Sequence, residues 1–163
     1  MREIPKLPQA RLYLKAAVWG INDMVERRLQ GYAYRFYMIG VLASLRAVQH
    51  ALLNHDYKIS AAHRKIIDEW RRTTPVDVPE LAFIKYARDK ILKEGSFDSY
   101  ATSSESGTGE GSNYTSTDHQ YDLAYYVGEE RHDLLAELHR ASAWCESELS
   151  TIEAKLPSVF EPE

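Results

Sequence analysis

Apolar residues recur at helical spacing through most of the chain, and this pattern predicts about five helices. The first helix is expected at about 9–30 and the second at about 32–54, with Gly31 as the stop between them. The second helix carries a continuous apolar stripe, namely Met38, Val41, Leu42, Leu45, Val48 and Leu52. Because the connection is short, we expect these two helices to pack as antiparallel neighbours or as a sharply broken pair.

Two shorter helices are predicted from their capping residues as well as their spacing. Ser60 is a good N-cap for a helix at about 61–72. Asp77, with Glu80 three residues later, forms the Asp version of a capping box for a helix at about 78–94. Glycine at position 95 is the expected end of that helix.

A long final helix is predicted at about 129–156, and Pro157 ends it. Its apolar stripe consists of Leu134, Leu135, Leu138, Ala141, Cys145, Leu149, Ile152 and Leu156. The whole chain, residues 1–163, is therefore expected to form one all-α domain, a bundle of about five helices.

The segment 98–120 differs in composition from the rest of the chain. It holds six Ser, four Thr and three Gly residues, so it is predicted to be a flexible polar loop. Directly after it, Tyr121, Leu123, Tyr125 and Val127 alternate with other residues. This alternation is the pattern of a short strand or hairpin arm, which is the alternative to a purely helical chain.

Overall composition is that of an ordinary globular protein, with 44% hydrophobic and 27% charged residues. The single cysteine, Cys145, cannot form an internal disulfide, which favours a reducing compartment. The most apolar stretch lies between Arg35 and Arg46, and its ten uncharged residues are about half of a bilayer span. We therefore expect a cytoplasmic protein with no membrane segment.

Charge is divided unevenly along the chain, whose net charge is −4. Residues 1–97 carry 17 Lys and Arg against 10 Asp and Glu, whereas residues 98–163 carry 3 against 14. In one interpretation the acidic part packs against the basic part and their charges complement one another. In the other, the basic part presents a phosphate-binding face. The pI of 5.9 favours the first interpretation, because dedicated nucleic-acid binders are usually basic.

Two arginines are predicted to lie on the apolar sides of helices. At 100° per residue, Arg88 lies roughly 40° from the centre of the stripe formed by Ile84, Ala87 and Ile91. Arg131 lies roughly 20° from the centre of the last helix's stripe. Each arginine either pairs with a nearby carboxylate or lies at the floor of a cleft that accepts an anionic ligand.

The sequence carries little that points to metal or nucleophilic chemistry. Glu129 and His132 form one Glu-x-x-His motif, but a carboxylate di-metal bundle needs two, and no second copy is present. Cys145 lies on an apolar stripe, where a thiol is usually inert packing. No phosphate-loop or dinucleotide-binding motif occurs. We therefore expect no catalytic residue, no metal and no cofactor.

Aromatic residues crowd the junction of the first two helices. Tyr32, Tyr34, Phe36 and Tyr37 lie there, interleaved with Arg35. Aromatics beside an arginine can stack nucleic-acid bases. More often they belong to a core or to a subunit interface, and we favour the interface interpretation.

The segment Phe83–Glu94 resembles the Arg-Asn-x4-His motif of the HEPN superfamily in a degenerate form. Arg88 matches the arginine of that motif, and Asp89 stands at its polar position, which is usually Asn. The histidine position falls on Lys93, or on Glu94 if the spacing is one residue longer. A long helical hairpin before the motif and a helix after it also agree with the order of elements in that superfamily.

This resemblance implies a small helical bundle that is usually dimeric. Active HEPN proteins are metal-independent ribonucleases, often in toxin–antitoxin or phage-defence systems, and their motif lines a cleft at the dimer interface. It thus implies an anion- or nucleic-acid-binding cleft at Arg88, Asp89 and Lys93. Without the histidine, proton transfer would fall to a lysine whose pKa needs a large desolvation shift, so catalysis is expected to be lost.

Two functional hypotheses from different classes follow. The leading one is a non-enzymatic, cytoplasmic bacterial helical protein that acts through protein–protein association, as a homodimer built on the first two helices. The alternative is a HEPN-like protein that binds RNA or a nucleotide, with residual ribonuclease activity. A carboxylate metal enzyme is a third and weaker hypothesis.

Overall fold

Five α-helices form most of the described chain, as the apolar spacing predicts. The structure, a computed structural model, describes residues 5–75, 78–94, 97–108 and 115–158. The helices are α1 (Pro8–Glu26), α2 (Gly31–Asn54), α3 (Ala61–Thr73), α4 (Pro79–Glu94) and α5 (Leu134–Lys155). A 3₁₀ turn, Asp56–Lys58, connects α2 to α3. The strands are β1 (Ser99–Thr108), β2 (Thr115–Val127) and β3 (Glu130–Asp133), which form one antiparallel sheet in the order β1-β2-β3.

The predicted boundaries of the first four helices agree with the structure except around Gly31. Helix α1 ends at Glu26, and Arg28 and Gly31 adopt positive φ values of 49° and 57° where the chain reverses. Gly31 therefore begins α2 instead of ending α1. Ser60 caps α3 as predicted, since its hydroxyl accepts a hydrogen bond from the backbone N–H of residue 63 at 3.3 Å. The predicted cap at position 77 and the predicted stop at position 95 lie outside the described residues.

The prediction that residues 98–120 form a flexible loop is wrong for the described part of that segment. Residues 99–108 pair with residues 115–125 in an antiparallel hairpin, with one irregularity between Ser106 and Gly107. On the partner strand, Leu123 and Tyr125 are buried, and these side chains anchor the hairpin to the core. A polar strand is stable here because its backbone groups bond to a strand that supplies the apolar face.

The last helix starts five residues later than predicted, because residues 130–133 form β3. Gly128, with a φ of 64°, turns the chain from β2 into β3. Asp133 then caps α5, since its carboxylate accepts a hydrogen bond from the backbone N–H of Ala136 at 3.0 Å. The all-α prediction is therefore corrected to a mostly helical fold with a small three-stranded sheet.

Helix α2 lies at the centre of the core, and all six residues of its predicted stripe are buried. Helix α5 contacts the other four helices and β2. Tyr121 of β2 donates a hydrogen bond to the carbonyl of Leu29 at 2.7 Å, which ties the sheet to the α1–α2 connection. The segment Gly31–Lys58 is long and apolar enough to cross a bilayer. A core helix that is mostly buried inside a protein meets the same two criteria.

The uneven charge distribution is matched by contacts between the two parts of the chain. Arg11 of α1 bonds to Glu146 at 2.6 Å and to Glu153 at 2.5 Å, both on α5. Lys155 of α5 pairs with Glu69 of α3 at 3.1 Å. The hydrogen bond from Arg11 also lowers the pKa of Glu146. The two Arg11 pairs agree with the interpretation that the acidic part packs on the basic part, whereas the Lys155–Glu69 pair has the opposite sense.

Helices α1 and α2 approach each other closely at Gly20. A Cβ atom at this position would lie 2.6 Å from Cγ2 of Val41. Val41 is buried and its β-branched side chain has few alternative rotamers, so the valine cannot easily move aside. Glycine at position 20 is therefore required by the packing of the two helices.

Gly20→Ala is expected to lower the free energy of unfolding by about 1–2 kcal/mol, because the added methyl group overpacks the α1–α2 contact. Urea unfolding followed by circular dichroism measures this loss. In the double variant Gly20→Ala/Val41→Ala the contacting methyl group is gone, so the two losses are expected to be less than additive. Full additivity would show that the close approach at Gly20 does not limit packing.

Candidate functional site

Arg88 of α4 opens into a solvent-accessible pocket and is not closed off as a buried ion pair. Its side chain is 45% exposed, and its guanidinium lies 3.6 Å from the carboxylate of the neighbouring Asp89. The pocket has a volume of about 610 Å³ and lies between α2 and α4. The apolar spacing places Arg88 toward the core, but the structure places it at the edge where the helices separate.

A second pocket of about 690 Å³ adjoins the first along the same two helices. Arg46 and Gln49 of α2 line both pockets, and we call the two together the α2–α4 cleft. Lys85 and Lys90 of α4 line the second pocket, so cations are present along its length. The cleft also has apolar walls, since leucine and isoleucine side chains of both helices line it.

The three residues of the HEPN-like motif are only partly brought together. Arg88 lines the first pocket and Asp89 lines the second, so these two adjacent side chains belong to the same cleft. Lys93 lies in the last turn of α4, and its side chain is outside the described part of the structure. The contribution of Lys93 to the cleft therefore stays a prediction.

The structure adds two residues of α2 that the sequence interpretation did not assign to this site. Arg46 and His50 line the same pocket as Arg88, and within the described residues no carboxylate lines that pocket. The signal was present in the sequence, because Arg46 and His50 are four residues apart and thus share a helix face. Two guanidinium groups beside an imidazole and two amides can bind an anionic ligand such as a phosphate.

Arg131 is placed differently from its prediction. It belongs to β3, not to the last helix, and its side chain is exposed. Its guanidinium bonds to the Asp122 carboxylate at 2.5 Å and to the Tyr100 hydroxyl at 3.1 Å. The pairing interpretation is confirmed for this arginine, which joins neighbouring strands of the sheet.

The residues considered for metal or thiol chemistry do not converge. His132 stacks on Tyr125 with ring centroids 4.9 Å apart, inside an aromatic cluster between the sheet and α4. Across the described residues, no group of three or more His, Cys, Asp or Glu side chains is arranged to hold a metal ion. Cys145 is buried, and burial raises the pKa of its thiol to about 12, so the reactive thiolate is disfavoured.

The four aromatic residues at the helix junction divide into two pairs. Tyr34 is buried in the core, and the Tyr37 hydroxyl donates a hydrogen bond to Asp23 of α1 at 3.1 Å. Tyr32 and Phe36 instead point outward, with 92% and 78% of their surfaces exposed. The second pair lies four residues apart on one face of α2, and within the chain the Phe36 ring makes an edge-on contact with Tyr37 at a centroid distance of 6.3 Å.

Comparisons with protein-family models, with curated proteins and with solved structures found no match for this chain. The interpretation of the site therefore depends on its own geometry.

Proposed function

We propose that this protein acts by associating with a second copy of itself through an apolar surface on α1 and α2. The surface, called here the α1–α2 face, comprises Leu12, Ala16, Trp19, Tyr32, Phe36, Ile39, Gly40, Ala43 and Ala47. The observation that carries the proposal is the exposure of its large members, since Trp19 is 63% exposed in addition to the two aromatics of α2. Single exposed apolar residues are normal, but a group of them on one surface marks an interaction site.

The available area is of the size that a stable interface needs. A fully exposed aromatic side chain offers about 150–250 Å² for burial, so Tyr32, Phe36 and Trp19 together offer on the order of 450 Å². A standard interface removes about 800 Å² from each partner. Three side chains thus supply more than half of that area, and the remaining residues of the face add to it.

Multi-angle light scattering after size exclusion tests this proposal directly. We expect a mass of about twice the 18.7 kDa chain at micromolar concentration, since closed two-fold dimers are the commonest assemblies. The mass should fall toward one chain on dilution if the dissociation constant lies in the measured range. A dissociation constant of about 100 µM corresponds to a free energy of association of only about 5.5 kcal/mol. The proposal is contradicted if the mass is that of one chain at every concentration up to about 100 µM.

A second candidate function is the binding of RNA or a nucleotide in the α2–α4 cleft, as the HEPN-like resemblance implies. The observation that favours it is the opening of Arg88 into a pocket that Arg46 and His50 also line. A cleft of this kind offers charge-assisted hydrogen bonds to phosphate oxygens. Residual ribonuclease activity would need a proton-transfer group, and His50 supplies an imidazole to this pocket.

Arg88→Met is expected to weaken binding of a single-stranded RNA oligonucleotide about tenfold and to reduce the salt dependence by about one ion. The melting temperature should stay within about 2 °C, because the exposed arginine keeps its apolar stem. Fluorescence anisotropy and thermal unfolding measure the two effects, with Arg64→Met on the exposed surface of α3 as the matched control. Equal RNA affinity for wild type and Arg88→Met contradicts this candidate function.

A further inference from the structure

The exposed stripe of α2 changes in size at its midpoint. The N-terminal half carries the large residues Tyr32, Phe36 and Ile39, and the C-terminal half carries the small residues Gly40, Ala43 and Ala47. At 100° per residue, these six positions lie within about 100° of one another, on one face of the helix. Five of the six residues are exposed, and Ala47 is half-buried.

Gly40 is the least expected residue of this stripe. Glycine in a helix interior is destabilising relative to alanine, and here a Cβ atom would meet nothing within 4 Å. Gly20, by contrast, is required by the contact with Val41 inside the chain. The packing of one chain therefore explains Gly20 and leaves Gly40 without a role, which a close approach of another backbone would supply.

The exposed stripe of α2 is complementary in side-chain size to a second copy of itself that runs in the opposite direction. If a second α2 lies antiparallel on the first, with the two-fold axis between positions 39 and 40, each large residue meets a small one. Tyr32 then faces Ala47, Phe36 faces Ala43 and Ile39 faces Gly40, and the residue numbers in every pair add to 79. A parallel arrangement would instead place large residues on large residues and small on small.

The charges on α1 agree with this antiparallel arrangement. Helix α1 runs antiparallel to α2. Two contacts show this alignment, namely the close approach of Gly20 to Val41 and the hydrogen bond from the Tyr37 hydroxyl to Asp23. Lys15 thus lies beside the C-terminal half of α2 and Glu26 beside its N-terminal half. The two-fold axis brings Lys15 of one copy toward Glu26 of the other, and the two carry opposite charges.

We infer that two copies of this chain pair through antiparallel α2 helices that cross at Ile39 and Gly40, an inference that rests on the self-association proposed above. The occupant of the α1–α2 face is then the same face of a second copy. The aromatics of each copy supply more than half of the area that a standard interface buries on each partner, and the other residues of the face supply the remainder.

Single cysteine variants test the crossing point in the full chain. Ile39→Cys lies next to the axis and is expected to form an intermolecular disulfide under mild oxidation with oxidised glutathione. Ala47→Cys is expected not to form one, because two copies of position 47 are about 22 Å apart along the helices at 1.5 Å per residue. The native Cys145 is buried and serves as an internal control. Cross-linking of Ala47→Cys in preference to Ile39→Cys overturns the antiparallel arrangement.

An exchange of sizes across one pair gives a second test. Phe36→Ala and Ala43→Phe are each expected to raise the dimer dissociation constant at least about tenfold, by loss of contact and by a clash, respectively. The double variant again places a phenylalanine opposite an alanine and is expected to recover most of the affinity. Ala143→Phe, on the exposed surface of α5, should leave the dissociation constant unchanged.

These outcomes separate failure of the inference from failure of the proposed function. A dimeric wild type with no recovery in the double variant overturns the pairing of positions 36 and 43 and leaves self-association intact. A monomeric wild type overturns both. Recovery in the double variant, together with selective cross-linking at position 39, supports the antiparallel crossing.

Discussion

Phe36→Asp is expected to convert the proposed dimer into a monomer of 18.7 kDa at micromolar concentration. Phe36 is 78% exposed in the single chain, where its ring contacts Tyr37 edge-on, so the substitution removes no buried core residue. In the proposed dimer the same position is buried against the partner helix. A carboxylate placed there loses its hydration without gaining a cation, which costs several kcal/mol, and the two-fold axis doubles the effect.

The measurement is light scattering together with thermal unfolding of the same samples. Ile59→Asp is the matched control, because Ile59 is also exposed, at 47%, but lies outside the α1–α2 face. We expect the control to keep the mass of the wild type. If Phe36→Asp also keeps that mass, the aromatic residues of α2 are not part of the interface, and association must use another surface.

The helices could be predicted from the sequence because each contains its own signal. The six stripe residues of α2 are spaced by three or four positions and are all buried, so periodicity and burial agree. Ser60 shows the same agreement at a helix start. Strand β1 could not be predicted in this way, because what stabilises it lies elsewhere in the chain. Its polar residues pair with β2, whose Leu123 and Tyr125 bury the apolar surface.

The candidate site could be predicted only in part, for a related reason. Helical geometry places Arg88 on the apolar side of α4, whereas in the structure it lies at the edge of that side with its side chain 45% exposed. Whether such an edge is closed or open depends on how far α2 lies from α4, which no local pattern encodes. His50 lines the pocket for the same reason, because the packing of α2 against α4 decides which α2 side chains border it.

Asp56 shows most clearly what local patterns omit. It is fully buried in the 3₁₀ turn after α2. Its carboxylate accepts hydrogen bonds from the backbone N–H groups of Gln9 at 3.1 Å and Ala10 at 2.9 Å. Helix α1 has no side-chain cap of its own, so Asp56 caps it from 46 residues away.

Asp56→Ala is therefore expected to lower the free energy of unfolding by about 2–4 kcal/mol, because it leaves two backbone donors without partners inside the fold. Asp56→Asn, which keeps one acceptor oxygen, should lose about half as much. Urea unfolding measures both losses. A loss below about 0.5 kcal/mol for the alanine variant, the range of ordinary surface substitutions, would show that Asp56 does not cap α1.

The stability difference between wild type and Asp56→Asn is also expected to depend on pH. Burial raises the pKa of Asp56 above its ordinary value, although the hydrogen bonds from Ala10 and Gln9 oppose this rise. The folded state then holds the proton of this carboxyl more readily than the unfolded state, so its contribution is largest in acid and falls as pH rises through the folded pKa. The asparagine does not titrate, so the advantage of wild type over Asp56→Asn should be greater near pH 4 than at pH 7. A larger advantage at pH 7 would show that the hydrogen bonds at the α1 terminus outweigh burial.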